Sequence, residues 1–187
     1  MAMRSFFTTL ALGAAIIAVC GATASADDPD EPMPCKILVV SPGSPGLAKL
    51  VCKPLAGESF QLPSELPRSL TLFIHDTADG SLGASSSDPW KALGNPPGSQ
   101  GFRLTPAPFS PASPCKTALI KAALVKALCK WDIPSSFFPV EGDAITYLQV
   151  TGSSASKLYC SQFGGVPVRN DTRGLVRTDA PQPSACF

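Results

Sequence analysis

Six cysteines, Cys35, Cys52, Cys115, Cys129, Cys160 and Cys186, constrain this chain more than any other feature. The sequence holds seven in all, and Cys20 falls in a stretch that reads as a leader, which leaves an even set (7 − 1). Residues 1–26 have the parts of a secretory signal peptide. Arg4 supplies the positive start, an apolar run extends from about Leu10 to Val19, and Ala24-Ser25-Ala26 offers a cleavage site before Asp27. An even set of cysteines behind such a leader predicts disulfides formed in an oxidising compartment, and hence a secreted, extracellular protein. Six cysteines allow many pairings, and spacing alone selects none of them. No C-x-x-C occurs and the single histidine, His75, is remote from every cysteine pair, so no metal site is expected.

Two of the cysteines bracket the stretch 114–131, PCKTALIKAALVKALCKW. Ala, Leu and Lys dominate it, and all three favour helix. Ser113 is a suitable N-cap, Pro114 suits the first helical position, and Pro134 bars continuation. The expectation is a helix over about 114–130. Cys115 and Cys129 would then lie on one side of it, roughly 21 Å apart and beyond disulfide reach, so each would bond to a different element. Lys116, Lys121, Lys126 and Lys130 do not share a face. A largely buried helix with lysine heads reaching solvent fits this better than a membrane-active one.

The remainder reads as one secreted domain over 35–187, preceded by a disordered acidic arm at 27–34. Strands are expected at 35–40, 47–52, 69–75, 101–104 and 144–150, with 157–160 returning as a hairpin and 166–169 and 175–177 flanking a turn. In the clearest one, Leu70, Leu72 and Ile74 alternate with Thr71, Phe73 and His75. The segment 81–100 is rich in Ser, Gly and Pro and reads as a long exposed loop holding Trp90. The proline-rich segment 105–114 reads as extended chain. No internal repeat stands out. The fold class expected is therefore α+β: a small antiparallel sheet or barrel with one helix, stapled by disulfides.

Charge narrows the partners. The chain has 15 basic and 14 acidic residues, and losing Arg4 with the leader brings the two counts level. A neutral balance argues against nucleic acid and anionic membrane, and no stretch is long and apolar enough to span a bilayer. Catalytic chemistry is not legible. His75 is followed by Asp76, but neighbours on a strand point to opposite faces, and no G-x-S-x-G elbow occurs. Asp76, Asp79, Asp88, Glu141 and Asp143 are candidates for a carboxylate pair, yet all stand in expected turns or loops. Residues 76–80 resemble the start of a calcium loop without its later bidentate glutamate. Asn170-Asp171-Thr172 is a glycosylation sequon, which makes Asn170 a candidate attachment site. Trp90 and Trp131 are candidates for a ligand surface, with Phe137 and Phe138 near the second.

Several short motifs occur together: Leu50-Val51-Cys52, Phe60, Leu66-Pro67 before the strand at 70–74, Gly101-Phe102-Arg103-Leu104, Cys115-Lys116-Thr117-Ala118-Leu119, and Cys129. Over about 50–130 they resemble the plant pollen-allergen/extensin-like family, the secreted β-barrel group typified by the major olive pollen allergen. The resemblance implies six cysteines in three bridges and a non-enzymatic binding or structural role outside the cell, at a cell wall. The expected function is thus an extracellular binding or structural protein acting on a protein or polysaccharide, without cofactor. The alternatives are a carrier of a small apolar ligand held between helix and strands, and, last, a small secreted hydrolase.

Overall fold

The computed structural model describes residues 28–77, 80–106 and 113–186. The expected leader with Cys20, the acidic Asp79 and residues 107–112 of the proline-rich segment lie outside the described residues. The described residues form thirteen strands: β1 (Glu31–Pro32), β2 (Cys35–Ser41), β3 (Leu47–Cys52), β4 (Ser69–Asp76), β5 (Ser81–Ser86), β6 (Trp90–Ala92), β7 (Phe102–Leu104), β8 (Cys115–Lys121), β9 (Leu124–Cys129), β10 (Ala144–Thr151), β11 (Ser156–Phe163), β12 (Arg169–Asp171) and β13 (Gly174–Ala180). One 3-10 turn, Ser135–Phe137, is the helical content among the described residues.

The expected helix at 114–130 is therefore a correction, and with it the α+β class: the described residues are almost entirely β. The stretch is the hairpin β8–β9, turned by Ala122-Ala123. Ala118, Ile120, Val125 and Ala127 are buried at every second position, while Leu119, Lys126 and Leu128 face the other way. Helix propensity is worth only tenths of a kcal/mol per residue, whereas burying one Ile or Val side chain contributes about 1.5–3 kcal/mol. The turn lacks the Asn-Gly or Gly that usually marks a hairpin, so its sequence signal is missing. Cys115 and Cys129 are direct cross-strand partners and bond to each other rather than to different elements. Cys35 and Cys52 do the same across β2 and β3, and Cys160 bonds Cys186.

The strands form two sheets. One has five strands in the order β1-β11-β10-β4-β5, and the other has eight in the order β12-β13-β2-β3-β9-β8-β7-β6. This order has an internal symmetry that the sequence hid. The strands β2–β7 and β8–β13 are two copies of one unit of three hairpins. In each copy the first hairpin carries a cysteine at both outer ends and a register shift just after the first of them. The second hairpin joins the five-stranded sheet. The third crosses to pair with the first hairpin of the other copy, as β7 with β8 and β13 with β2. The copies also meet in two further antiparallel pairs, β3 with β9 and β4 with β10.

Side chains from both sheets fill one continuous core, including Leu38, Leu50, Leu72, Ile120, Leu148 and Phe163. Alternation on each strand separates these from outward residues, as the period of two requires. The segment 81–100, expected as an exposed loop, supplies β5 and β6. Trp90 is buried in the core, and Ser86 donates to buried Asp88 and shares a hydrogen bond with Ser113.

The acidic arm is also a correction over its described residues. Glu31 and Pro32 pair parallel with β11, Asp28 N donates to Ser156 O, and Met33 is fully buried. Charge holds the arm in place. Glu31 sits 3.3 Å from the buried Lys157 ammonium and accepts the Gln61 N–H at 2.9 Å. Beside it the Tyr159 hydroxyl donates to Gln61 O, and burial, with help from Glu31 and Asp28, pushes the phenol well above its ordinary range. A composition that reads as disordered is ordered by a buried cation waiting for it.

Candidate binding face

The outward face of the five-stranded sheet gathers the side chains best suited to hold a ligand. Register places them in three rows running across strands. The middle row is Gly83, Phe73 and Tyr147, and it ends at Cys160, which is fully buried in its bridge to Cys186. Above and below lie Ser81, His75, Ile145 and Gln162, and then Ser85, Thr71, Gln149 and Leu158. Phe73 is the exposed centre, 38% accessible. The His75 ring lies 6.1 Å from that of Phe73 and 5.6 Å from that of Tyr147, edge-on to the latter. Gly83 has a reason to be glycine here: a Cβ on it would stand 3.0 Å from the Phe73 ring, which lies across it. Thr71 and Ser85 share a hydrogen bond of 2.9 Å.

The edge strand β5 has an open cleft at each end. At its Ser81 end a cleft of about 470 Å³ is lined by Asp76, Phe137 and Glu141. At its Ser85 end a cleft of about 610 Å³ is lined by Pro45, Pro114, Lys130, Trp131 and Asp132. The two clefts meet the face at Ser81 and Ser85.

The residues singled out from sequence are distributed unevenly over this surface. Trp131 is on it, half-buried against the core. Trp90 is not: it is an interior residue paired across from Leu104. His75 is on the face, and Asp76 turns away to accept the Gly80 N–H at 2.7 Å. Of the carboxylates, Asp76 and Glu141 reach one cleft, Asp143 accepts from Gln162 in another, and Asp88 is buried. Among the described residues no group of three or more His, Cys, Asp or Glu is placed to hold a metal, and no helix is long and apolar enough to cross a membrane. The six core-domain cysteines are all in disulfides. Asn170 clasps Val140 from both sides. Its Nδ2 donates to Val140 O and its Oδ1 accepts Val140 N–H at 2.8 Å, so the folded sequon directs its amide inward. The apolar-ligand expectation relied on a helix roof, and that stretch is instead part of the eight-stranded sheet.

Sequence reasoning passed over Phe73, Tyr147 and Gln149 as binding residues. The signal was present in the alternation itself: the polar phase of β4 and β10 carries rings and amides where a plain solvent face carries lysine and glutamate.

No family model, curated protein or solved structure matches the chain.

Proposed function

We propose that this is a non-enzymatic extracellular binding protein that holds a polysaccharide, such as a cell-wall glycan, on the outward face of its five-stranded sheet. The observation that carries the reading is the contact cluster of Phe73, His75 and Tyr147 at the centre of a sheet face bordered by hydroxyls and amides. A sugar ring presents C–H groups on its faces and hydroxyls round its edge. The first suit an aromatic platform, and the second suit Thr, Ser and Gln side chains, which donate and accept. A rigid sheet holds such groups in place at little entropic cost on binding. Three disulfides support an extracellular setting, where such bonds persist. The role implied by the pollen-allergen/extensin-like resemblance points the same way.

The test is retention on insoluble cell-wall polysaccharides and titration with neutral soluble glucans and galactans. Phe73→Ala and Tyr147→Ala should each weaken binding about tenfold, the loss of roughly 1.4 kcal/mol of ring contact. Full binding by both variants would remove this face from consideration.

A further inference from the structure

Charge is nearly level over the whole chain, at +1, but not over its surface. Six adjacent strands of the eight-stranded sheet, β2, β3, β9, β8, β7 and β6, contain no Asp or Glu. Their outward positions carry Lys49, Lys126, Lys121, Arg103 and Lys91. Between these cations stand half-buried aliphatic residues such as Val51 and Leu119. None of the five has an ion-pair partner among the described residues. Among the described residues the acidic side chains lie elsewhere: at the arm, in the loops, in the two clefts beside β5, and on the sheet's other two strands β12 and β13, where Asp171 pairs with Arg173 and Asp179 with Lys36.

Two details mark this face as more than a solvated surface. Lys91 and Arg103 are direct cross-strand partners, both exposed, and like charges so placed cost stability. An acidic residue at either position would have removed that cost. Lys49 and Lys126 are also equivalent positions in the two copies of the unit, each three residues before the second cysteine of its hairpin. Both copies therefore present the same cation on adjoining strands at the molecular centre.

We infer that this face binds a linear acidic polysaccharide, one bearing uronate or sulfate groups. The cations run from β3 to β6 across four strand spacings, about 19 Å, a track that a chain of repeating anions follows and a single small anion does not fill. Long Lys and Arg stems lying over aliphatic residues suit the apolar faces of sugar rings between the charges. A bilayer is the poorer fit. The large exposed hydrophobic residues, Leu55, Leu66, Phe73, Val166 and Val168, are outside this face, so it offers nothing to insert among lipid chains. The surface is independent of the aromatic face, and either can fail without the other.

The experiment measures binding of the full chain to polygalacturonate and to dextran sulfate from low to physiological salt, with phosphatidylserine vesicles in parallel. The expected result is binding to both polysaccharides that falls steeply with salt, and none to vesicles. Lys91→Glu should lower the affinity about tenfold while slightly raising the melting temperature, because it turns a repelling pair into an attracting one. Lys49→Gln with Lys126→Gln should flatten the salt dependence by about two ions. No binding to either polysaccharide at low salt, unchanged affinity in Lys91→Glu, or binding to the vesicles alone would overturn the assignment.

Discussion

Glu65 shows how one exposed side chain can fix a turn. It accepts from Ser153 Oγ and from the Ser154 and Ala155 N–H groups, both at 2.7 Å, at the tip of the β10–β11 hairpin. The Ser153 hydroxyl, then the two backbone donors, hold its carboxyl down from 4.5 to about 2. A carboxyl lowered on folding stabilises the native state above its ordinary value, and that contribution is lost as pH falls from about 4.5 towards about 2. Melting temperature should therefore decline across this window, and Glu65→Gln should flatten the decline while leaving the neutral-pH fold intact. Parallel melts of the two proteins against pH check this, and identical profiles would mean that the bonds do not survive in solution. Asp171 is lowered in the same direction, by its hydrogen bonds from Arg173, but it is unchanged in both proteins and cancels.

At the scale of elements, the disulfides lock hairpins that hydrophobic alternation already selects. The bridge Cys115–Cys129 closes 14 residues and Cys35–Cys52 closes 17, each between neighbouring strands, while Cys160–Cys186 closes 26 and ties the tail to β11. Loop-closure entropy gives each about 3 kcal/mol. Replacing Cys115 and Cys129 together by Ala should cost about 2–4 kcal/mol in denaturant unfolding and leave a β-type circular dichroism spectrum, because Ala118, Ile120, Val125 and Ala127 still set the register. Digestion without reduction should also yield one fragment linking residues 115 and 129. A fragment linking either of them to a third cysteine would contradict the hairpin.

At the scale of the whole molecule, the exchange of third hairpins binds the two copies into one cooperative body. β13 completes the first copy's sheet beside β2, and β7 completes the second's beside β8. Neither copy retains its sheet partners if the other unfolds. Trp90 belongs to the first copy and Trp131 to the loop after β9 in the second. Single-tryptophan proteins, made by Trp131→Phe and Trp90→Phe, should therefore give fluorescence transitions that coincide with each other and with loss of circular dichroism. Two separated transitions would mean that the copies are independent domains. The exchange also gives the molecule two unlike outer faces, the aromatic one on the small sheet and the cationic one on the large sheet.

Leu70, Leu72 and Ile74 against Thr71, Phe73 and His75 show what the sequence by itself determined. Where apolar and polar residues alternate between turn residues, the strand and its buried phase follow from the period of two, and β4 and β10 were legible on that ground. The even count of cysteines was legible too, because it is a matter of counting. Residues 114–131 were not, since Ala, Leu and Lys satisfy a helix locally, and only the second sheet, by offering a core to every other side chain, decides for the hairpin. The arm at 28–34 became ordered for a similar reason: Lys157, far away in sequence, is buried beside it. The duplicated unit and the unbroken run of six strands without acidic residues are properties of strand order. Net charge and composition are sums along the chain, whereas a binding face depends on which residues the sheet sets side by side.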